Sequence, residues 1–167
     1  FVISFSLWLL IISQLLILVP ARYESSRFPG MPLSLINSRP MISYVVDNCK
    51  ASGFDYSVVT DNDQIEKYLK SNGDNVVRVD DDVLTGSERI ALAYERFFKD
   101  NGYEFIINVQ GDEPLLNGEV ISKIGHDHAK SNKDIFTAIK ARSSLELDYK
   151  NPNVVKCIKS ATDETCL

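Results

Sequence analysis

From Leu15 onward, short apolar runs alternate with segments of helical periodicity, and this alternation constrains the fold more than any other feature of the chain. "LLILV" (15–19), "DYSVVTD" (55–61), "NVVRV" (75–79) and "EFIINVQ" (104–110) have the length and composition of buried strands. Between the first two, "PMISYVVDNCKASG" sets Met41, Ile42, Val45, Val46 and Cys49 on one stripe and closes at Gly53. "NDQIEKYLKSNG" is a short amphipathic helix ending at Gly73. "SERIALAYERFFKDNG" brings Ile90, Leu92, Ala93, Phe97 and Phe98 on or near one face and stops at Gly102. "NGEVISKIGHDHAKSN" is helical despite Gly125, and "DIFTAIKAR" and "NVVKCIKS" read as two further strands. Strands alternating with helices predict an α/β fold with a mostly parallel sheet covered by helices on both faces. No repeat, low-complexity tract or linker interrupts it, so residues 15–167 read as one domain.

The first 19 residues carry no charge, which is near the length that spans a bilayer. Ser4, Ser6, Ser13 and Gln14 dilute the run, and it lacks the basic start and small-residue cleavage site of a secretory signal. If Leu15–Val19 is a strand, residues 1–14 remain as an apolar leader too short to cross a membrane; an anchor through residues 1–19 is the competing reading. The chain begins at Phe1 and closes on "DETCL", and the expectation is the amino-terminal part of a longer protein.

The formal net charge is −5 and no long basic run is present. That argues against a nucleic-acid partner, whose backbone needs clustered Lys and Arg. Small anions remain open as ligands, because two or three local cations suffice for them. Cys49, Cys157 and Cys166 form no CxxC pair and no metal-ligand spacing, as for reduced thiols in a cytosol-like compartment.

In parallel sheets ligands sit beyond the carboxyl ends of the strands. Three apolar runs deliver polar segments there: "PARYESSRFPG", "TDN" and "QGDEP". In the first, Arg22 and Arg27 could fork around phosphate oxygens, with Ser25, Ser26 and the backbone near Gly30 as further donors; the alternative is a surface loop with ordinary arginines. Neither GxxxxGK[ST] nor GxGxxG is present. In the third, Asp112 stands where a carboxylate could hold Mg²⁺, or where it would only cap the next turn. Gln110 could orient a hydroxyl, or be a satisfied sheet-edge amide. In "TGSERIA" (85–91), Thr85 or Ser87 caps the helix and Glu88 fits a capping position, while the same N–H groups could meet a base or phosphate. Thr60 and Asp61 are explained by capping of the helix that begins near Asn62. His126 and His128, two apart on a helix, point to different sides and read as solvated. Asp80, Asp81 and Asp82 read as a solvated acidic loop.

Taken together, "ILVPARYESSRFPGMPL", "SRPMISYV", "VVTDN", "TGSERIA", "INVQGDEPLL" and "NPNVVK" resemble, in order and spacing, the 3-deoxy-manno-octulosonate (KDO) cytidylyltransferases, or CMP-KDO synthetases. The similarity runs from about Leu15 to about Lys159. Sialic-acid cytidylyltransferases share the fold with a differently composed first loop. The resemblance implies a Rossmann-like nucleotide-diphospho-sugar transferase fold, here truncated at the C-terminus. It implies transfer of CMP from CTP to KDO with release of pyrophosphate, assisted by Mg²⁺, in the cytoplasm, for lipopolysaccharide biosynthesis. Arg22, Arg27 and Asp112 would be catalytic, with Asp112 the metal ligand. Ala21, Arg22, Ser25, Arg27, Gly30, Asp61, Thr85, Gly86, Ser87, Arg89 and Gln110 would line the nucleotide. CTP and KDO would be the substrates, without nucleic acid, and the full-length protein would be a homodimer. A related sugar acid (8-amino-KDO or one like sialic acid) and a non-catalytic nucleotide-binding remnant are the alternatives. Three departures bear on this. The family's PGKPL lysine is Met31 here, and Arg39 is the neighbouring cation that could compensate. Val83 and Leu84 stand where the family often has histidine. The later stretch that supplies a second metal-binding aspartate is not in this sequence.

Overall fold

The structure, a computed structural model, describes residues 14–23, 28–131, 133–138, 151, 152 and 157. Strand β1 (Leu15–Ala21) is buried along all seven of its residues. Leu15, Ile17, Val19 and Ala21 face one core cluster, and Leu16 and Leu18 face another. This two-sided burial is why its sequence is continuously apolar rather than alternating. Each such side chain removed from water contributes about 1.5–3 kcal/mol.

A small antiparallel hairpin follows, β2 (Leu35–Ile36) and β3 (Arg39–Pro40), turned by Asn37 and Ser38 at positive φ. Helix α1 (Met41–Ser52) buries Met41, Ile42, Val45, Val46 and Cys49, the stripe its periodicity predicts, and ends on left-handed Gly53. Strand β4 (Asp55–Thr60), helix α2 (Asp63–Ser71) and strand β5 (Val76–Arg78) come next. Helix α3 (Gly86–Ala93) widens into a π-helical stretch, Tyr94–Phe98, where the Lys99 N–H reaches back to the Tyr94 carbonyl. The widening leaves Phe97 45% exposed while Phe98 packs beside the second cluster, so the two do not share the face that a uniform 3.6-residue period assigns them. Strand β6 (Phe105–Asn108) and helix α4 (Gly118–Ala129) complete the order. Gly125 sits inside α4 because a Cβ there would lie 2.6 Å from the Phe54 ring.

The four main strands are parallel in the order β5-β4-β1-β6. Ile42, Val45, Val46 and Cys49 of α1, Ile65 and Leu69 of α2, and Ile121 of α4 cover one face; Ile90 and Ala93 of α3 cover the other. This is the mostly parallel, doubly covered sheet that the alternation predicts. The chain winds outward from β1 to β5, then returns to β6 on the opposite side of β1. The strand order therefore reverses between β1 and β6, which places a crevice beyond the carboxyl end of β1.

The chain divides into two compact units, Phe1–Asn132 and Lys133–Leu167. Of the strand predicted at 134–142, residues 134–138 are described and are not a strand; Ile135 is 86% exposed. Apolar composition alone does not make a strand. The strand predicted at 153–160 and the apolar leader lie outside the described residues, apart from Cys157, which is exposed and not in a strand. Among the described residues, no helix is long and apolar enough to cross a membrane.

Candidate active site at the carboxyl rim of the sheet

Three chain segments close on the carboxyl end of β1. A Cβ on Gly111, in the loop after β6, would lie 2.7 Å from the Pro20 carbonyl oxygen. A Cβ on Gly86, the first residue of α3, would lie 3.1 Å from the Pro20 ring. The first approach needs a residue without a side chain; the second leaves a side chain room only if the Pro20 ring gives by a few tenths of an ångström. Ala21 pairs with Thr60, so the segment after β4 emerges alongside. The tips of β1, β4 and β6 and the start of α3 thus share one rim.

Arg22 leaves this rim directly after Ala21. Its Nη1 donates to the Leu84 carbonyl at 3.3 Å, and its Nε lies 3.9 Å from Asp61 Oδ2. The same Asp61 oxygen accepts from Arg89 Nη2 at 2.9 Å. Arg89 is only 2% exposed, and its Nη1 donates to the Val79 carbonyl. Asp61 does not cap α2: Asn62 does, accepting from the Gln64 and Ile65 N–H groups, while Thr60 Oγ1 accepts from the Asn62 N–H. An ion pair with arginine satisfies Asp61 instead. Arg89, placed by the resemblance on the nucleotide side, is turned inward, its guanidinium committed to Asp61 and a backbone carbonyl.

The start of α3 is a complete capping box. Thr85 Oγ1 accepts from the Glu88 N–H, and the Glu88 carboxylate accepts from the Leu84 and Thr85 N–H groups. Capping accounts for these groups and does not use the Gly86 and Ser87 amides. Gln110 Nε2 donates to Asn108 Oδ1 at 2.9 Å, and Asn108 Nδ2 reaches Ser87 Oγ at 3.5 Å, so the tip of β6 is tied to the start of α3. Asn108 was not foreseen; a polar residue ending "FIIN" at a strand tip was the available signal. Asp112 is exposed in the turn closed by the Glu113 N–H and the Gln110 carbonyl, one residue past the Gly111 contact with β1.

The loop after β1 is described only at its two ends; Ser25, Ser26 and Arg27 lie outside the described residues. At its far end Gly30 adopts φ +72° and donates to the Tyr23 carbonyl at 2.8 Å, a left-handed closure that favours glycine. Met31 then opens a short 3-10 turn, Met31–Leu33. Arg39 is held elsewhere: its Nη1 is 2.6 Å from Asp47 Oδ2, and its guanidinium lies 5.0 Å from the Tyr44 ring centre. Pairing with Asp47 raises its pKa above the ordinary arginine value.

Other expectations change. His126 and His128 are half-buried, meeting the Phe54 and Phe105 rings edge-on at 5.3 and 5.0 Å, so they pack rather than stand in solvent. Asp81 is a bidentate partner of Arg96 at 2.6 and 2.8 Å, and that hydrogen bonding holds its carboxyl below the usual range; Asp80 pairs with Arg78. The acidic run thus ties the segment after β5 to the π-helical turn and to β5. Cys49 is buried, which pushes its thiol up to about 12. Among the described residues, no three His, Cys, Asp or Glu side chains gather as a metal cage. The donor set at the rim fits a hydrated cation such as Mg²⁺, which takes one or two carboxylates beside substrate phosphates.

A profile of the cytidylyltransferase family matches residues 16–165. The chain belongs to the cytidylyltransferase family. Among its curated relatives, the 3-deoxy-manno-octulosonate cytidylyltransferase of Acaryochloris marina is 35% identical over 147 residues, and that of Parabacteroides distasonis 37% over 150. The alignments cover 87% and 88% of this chain but 59% of each relative. The chain therefore spans less than two thirds of the length of these cytidylyltransferases. A solved structure of CMP:2-keto-3-deoxy-manno-octonic acid synthetase complexed with CTP superposes with a TM-score of 0.64 at 28% identity, over 70% of this chain and 48% of that one. A cytidylyltransferase from Leptospira borgpetersenii, 23% identical, shares the fold with a TM-score of 0.56 over 66% of this chain and 47% of its own.

Proposed function

We propose that this protein transfers CMP from CTP to the anomeric hydroxyl of KDO, releasing pyrophosphate. The observation that carries the reading is the meeting of the Arg22, Gly86 and Gly111–Asp112 segments at Pro20, in a chain 35–37% identical to KDO cytidylyltransferases. The sugar oxygen forms a bond to the α-phosphorus, the α–β bridging bond breaks toward pyrophosphate, and the hydroxyl proton is released. Such transfers ask mainly for positioning and for neutralisation of charge. Arg22 and Arg27 neutralise phosphate oxygens. Gln110, tied back to Asn108, orients a ribose or sugar hydroxyl. Asp112 holds Mg²⁺ on its exposed carboxylate; when bound, the ion neutralises phosphate charge.

The same reading puts the reaction in the cytoplasm, on soluble substrates, for lipopolysaccharide assembly, with a homodimer at full length. The test is pyrophosphate release by the full-length protein with CTP, KDO and Mg²⁺. Release that needs all three supports the reading; a folded protein releasing none at any Mg²⁺ concentration rejects it. Met31 favours one rival, a nucleotide-binding remnant, because a thioether supplies no charge to phosphate. Nucleotide binding without turnover is the outcome that selects it.

A further inference from the structure

We propose that Asp61 and Arg89 are a positioning pair that holds Arg22 toward the phosphates and touches no ligand itself. The proposal deepens the reading of the rim as a CTP site and rests on it. Arg89, 2% exposed, cannot present its guanidinium to a ligand. It anchors Asp61 Oδ2 at 2.9 Å, and that oxygen stands 3.9 Å behind Arg22 Nε. On its other side, Arg22 Nη1 is held by the Leu84 carbonyl at 3.3 Å. Arg22 is thus flanked by the carboxylate just past β4, at ion-pair rather than hydrogen-bond distance from its buried Nε, and bonded to the segment entering α3, while its side chain remains 36% exposed at the rim.

Helix capping does not ask for these residues. Asn62 already caps α2, and Thr85 with Glu88 already caps α3. A buried ion pair is weak evidence of stabilisation, since well-packed apolar residues often serve as well or better. What the pair adds is a fixed guanidinium. A free arginine loses rotamer entropy when it binds, and fixing it beforehand removes that loss from the affinity. The three side chains together keep one net positive charge at the rim.

Charge and positioning give different outcomes when Asp61 and Arg89 are neutralised together, because the net charge of the trio stays at one positive. A pair that acts on CTP only through its charge leaves affinity unchanged, and that outcome overturns the proposal. If the pair positions Arg22, its removal weakens binding. Because Asp61→Asn alone would strand a buried arginine, the chosen variant is Asp61→Asn with Arg89→Met, which removes both charges together; Asp61→Glu with Arg89 retained is the conservative rescue. In the full-length protein, calorimetric titration with Mg-CTP is expected to show about tenfold weaker binding in the double variant. In an Arg22→Ala background the same double substitution is expected to change affinity less than about twofold. Asp61→Glu is expected to recover part of the loss. Without nucleotide, the Arg22 Nε–H resonance is expected to become mobile in the double variant. Equal losses in both backgrounds, tighter binding in the double variant, or an Arg22 side chain equally ordered in both proteins overturns the proposal. If Arg22 loosens as expected but the parent protein binds no CTP, the positioning pair stands and the CTP reading falls.

Discussion

Replacing Gly111 by alanine tests the convergence on which the site depends. The added Cβ would sit 2.7 Å from the Pro20 carbonyl oxygen and 3.6 Å from its carbonyl carbon. Both are backbone atoms of a strand buried on both faces, and Pro20 is paired with Val59 of β4, so no side-chain rotation relieves the contact. The loop after β6 must move off β1, and overpacking of this kind costs about 1–3 kcal/mol. Gly111 is not among the residues at positive φ, so alanine also restricts the unfolded chain and returns about 0.4–1 kcal/mol. A net loss of about 1.5 kcal/mol lies within that range. With a urea slope of about 1–3 kcal/mol per M, it lowers the midpoint by about 0.5–1.5 M. Mg-CTP affinity should fall as well, because Asp112 is the next residue. Gly102→Ala is the control: at φ +79°, with no atom within 4 Å of the new Cβ, it carries only the left-handed backbone cost, about 1–2 kcal/mol, and leaves nucleotide affinity unchanged. A Gly111→Ala protein with the parent midpoint and the parent affinity would refute the argument that the tips of β1 and β6 meet closely enough to build a site.

Met31→Lys should tighten Mg-CTP binding by about tenfold or more, since a hydrogen bond to a charged group is worth about 1.5–3 kcal/mol; unchanged affinity in a calorimetric titration would show that the loop does not face the phosphates. Arg96 holds the Asp81 carboxyl below its ordinary value, so this contact adds stability above the unfolded carboxylate pKa and loses it as pH falls through the folded one. Urea titrations below about pH 4 should therefore show a shallower fall for Asp81→Asn than for the parent, and identical slopes would discount the pair. A thiol-alkylating reagent at pH 8 should label exposed Cys157 and spare Cys49, whose thiol is pushed up to about 12 by burial; peptide mapping that finds the two equally modified would contradict the packing of α1.

The sheet was legible because the alternation of short apolar runs with helical stripes outweighs the ambiguity of any one run: "LLILV" alone also fits an apolar leader, but set before the α1 stripe and "DYSVVTD" it fits a strand buried on both faces. The stripe of α1 and its stop at Gly53 were legible for similar reasons, periodicity and a left-handed terminator. The course of the chain after Ala93 was not. "YERFF" satisfies an ordinary helical period on paper, and only packing around Phe98 and Tyr103 accompanies the wider turn that puts Phe97 outside. His126 and His128 were misjudged because helical spacing says that two such residues diverge, but not that each side carries an aromatic ring.

Asp61 and Arg89 mark where local rules stop being informative about the site. On sequence alone, capping accounts for "TDN" and for "TGSERIA", so neither segment advertises the distant partner that Asp61 and Arg89 turn out to have. The ion pair exists because the order β5-β4-β1-β6 sets the tip of β4 beside that of β1, and α3 then lies across from both. Read one residue at a time, each looks like a ligand contact or a cap. Read together, the inward arginine, the carboxylate between two guanidiniums and the outward arginine form a chain of charge that ends at the rim. A site built in this way separates two kinds of substitution. Changes at Arg22 remove a contact, whereas changes at Asp61 and Arg89 remove only the constraint on that contact. The two are therefore expected to be non-additive in CTP affinity, a coupling that a purely structural ion pair would not produce.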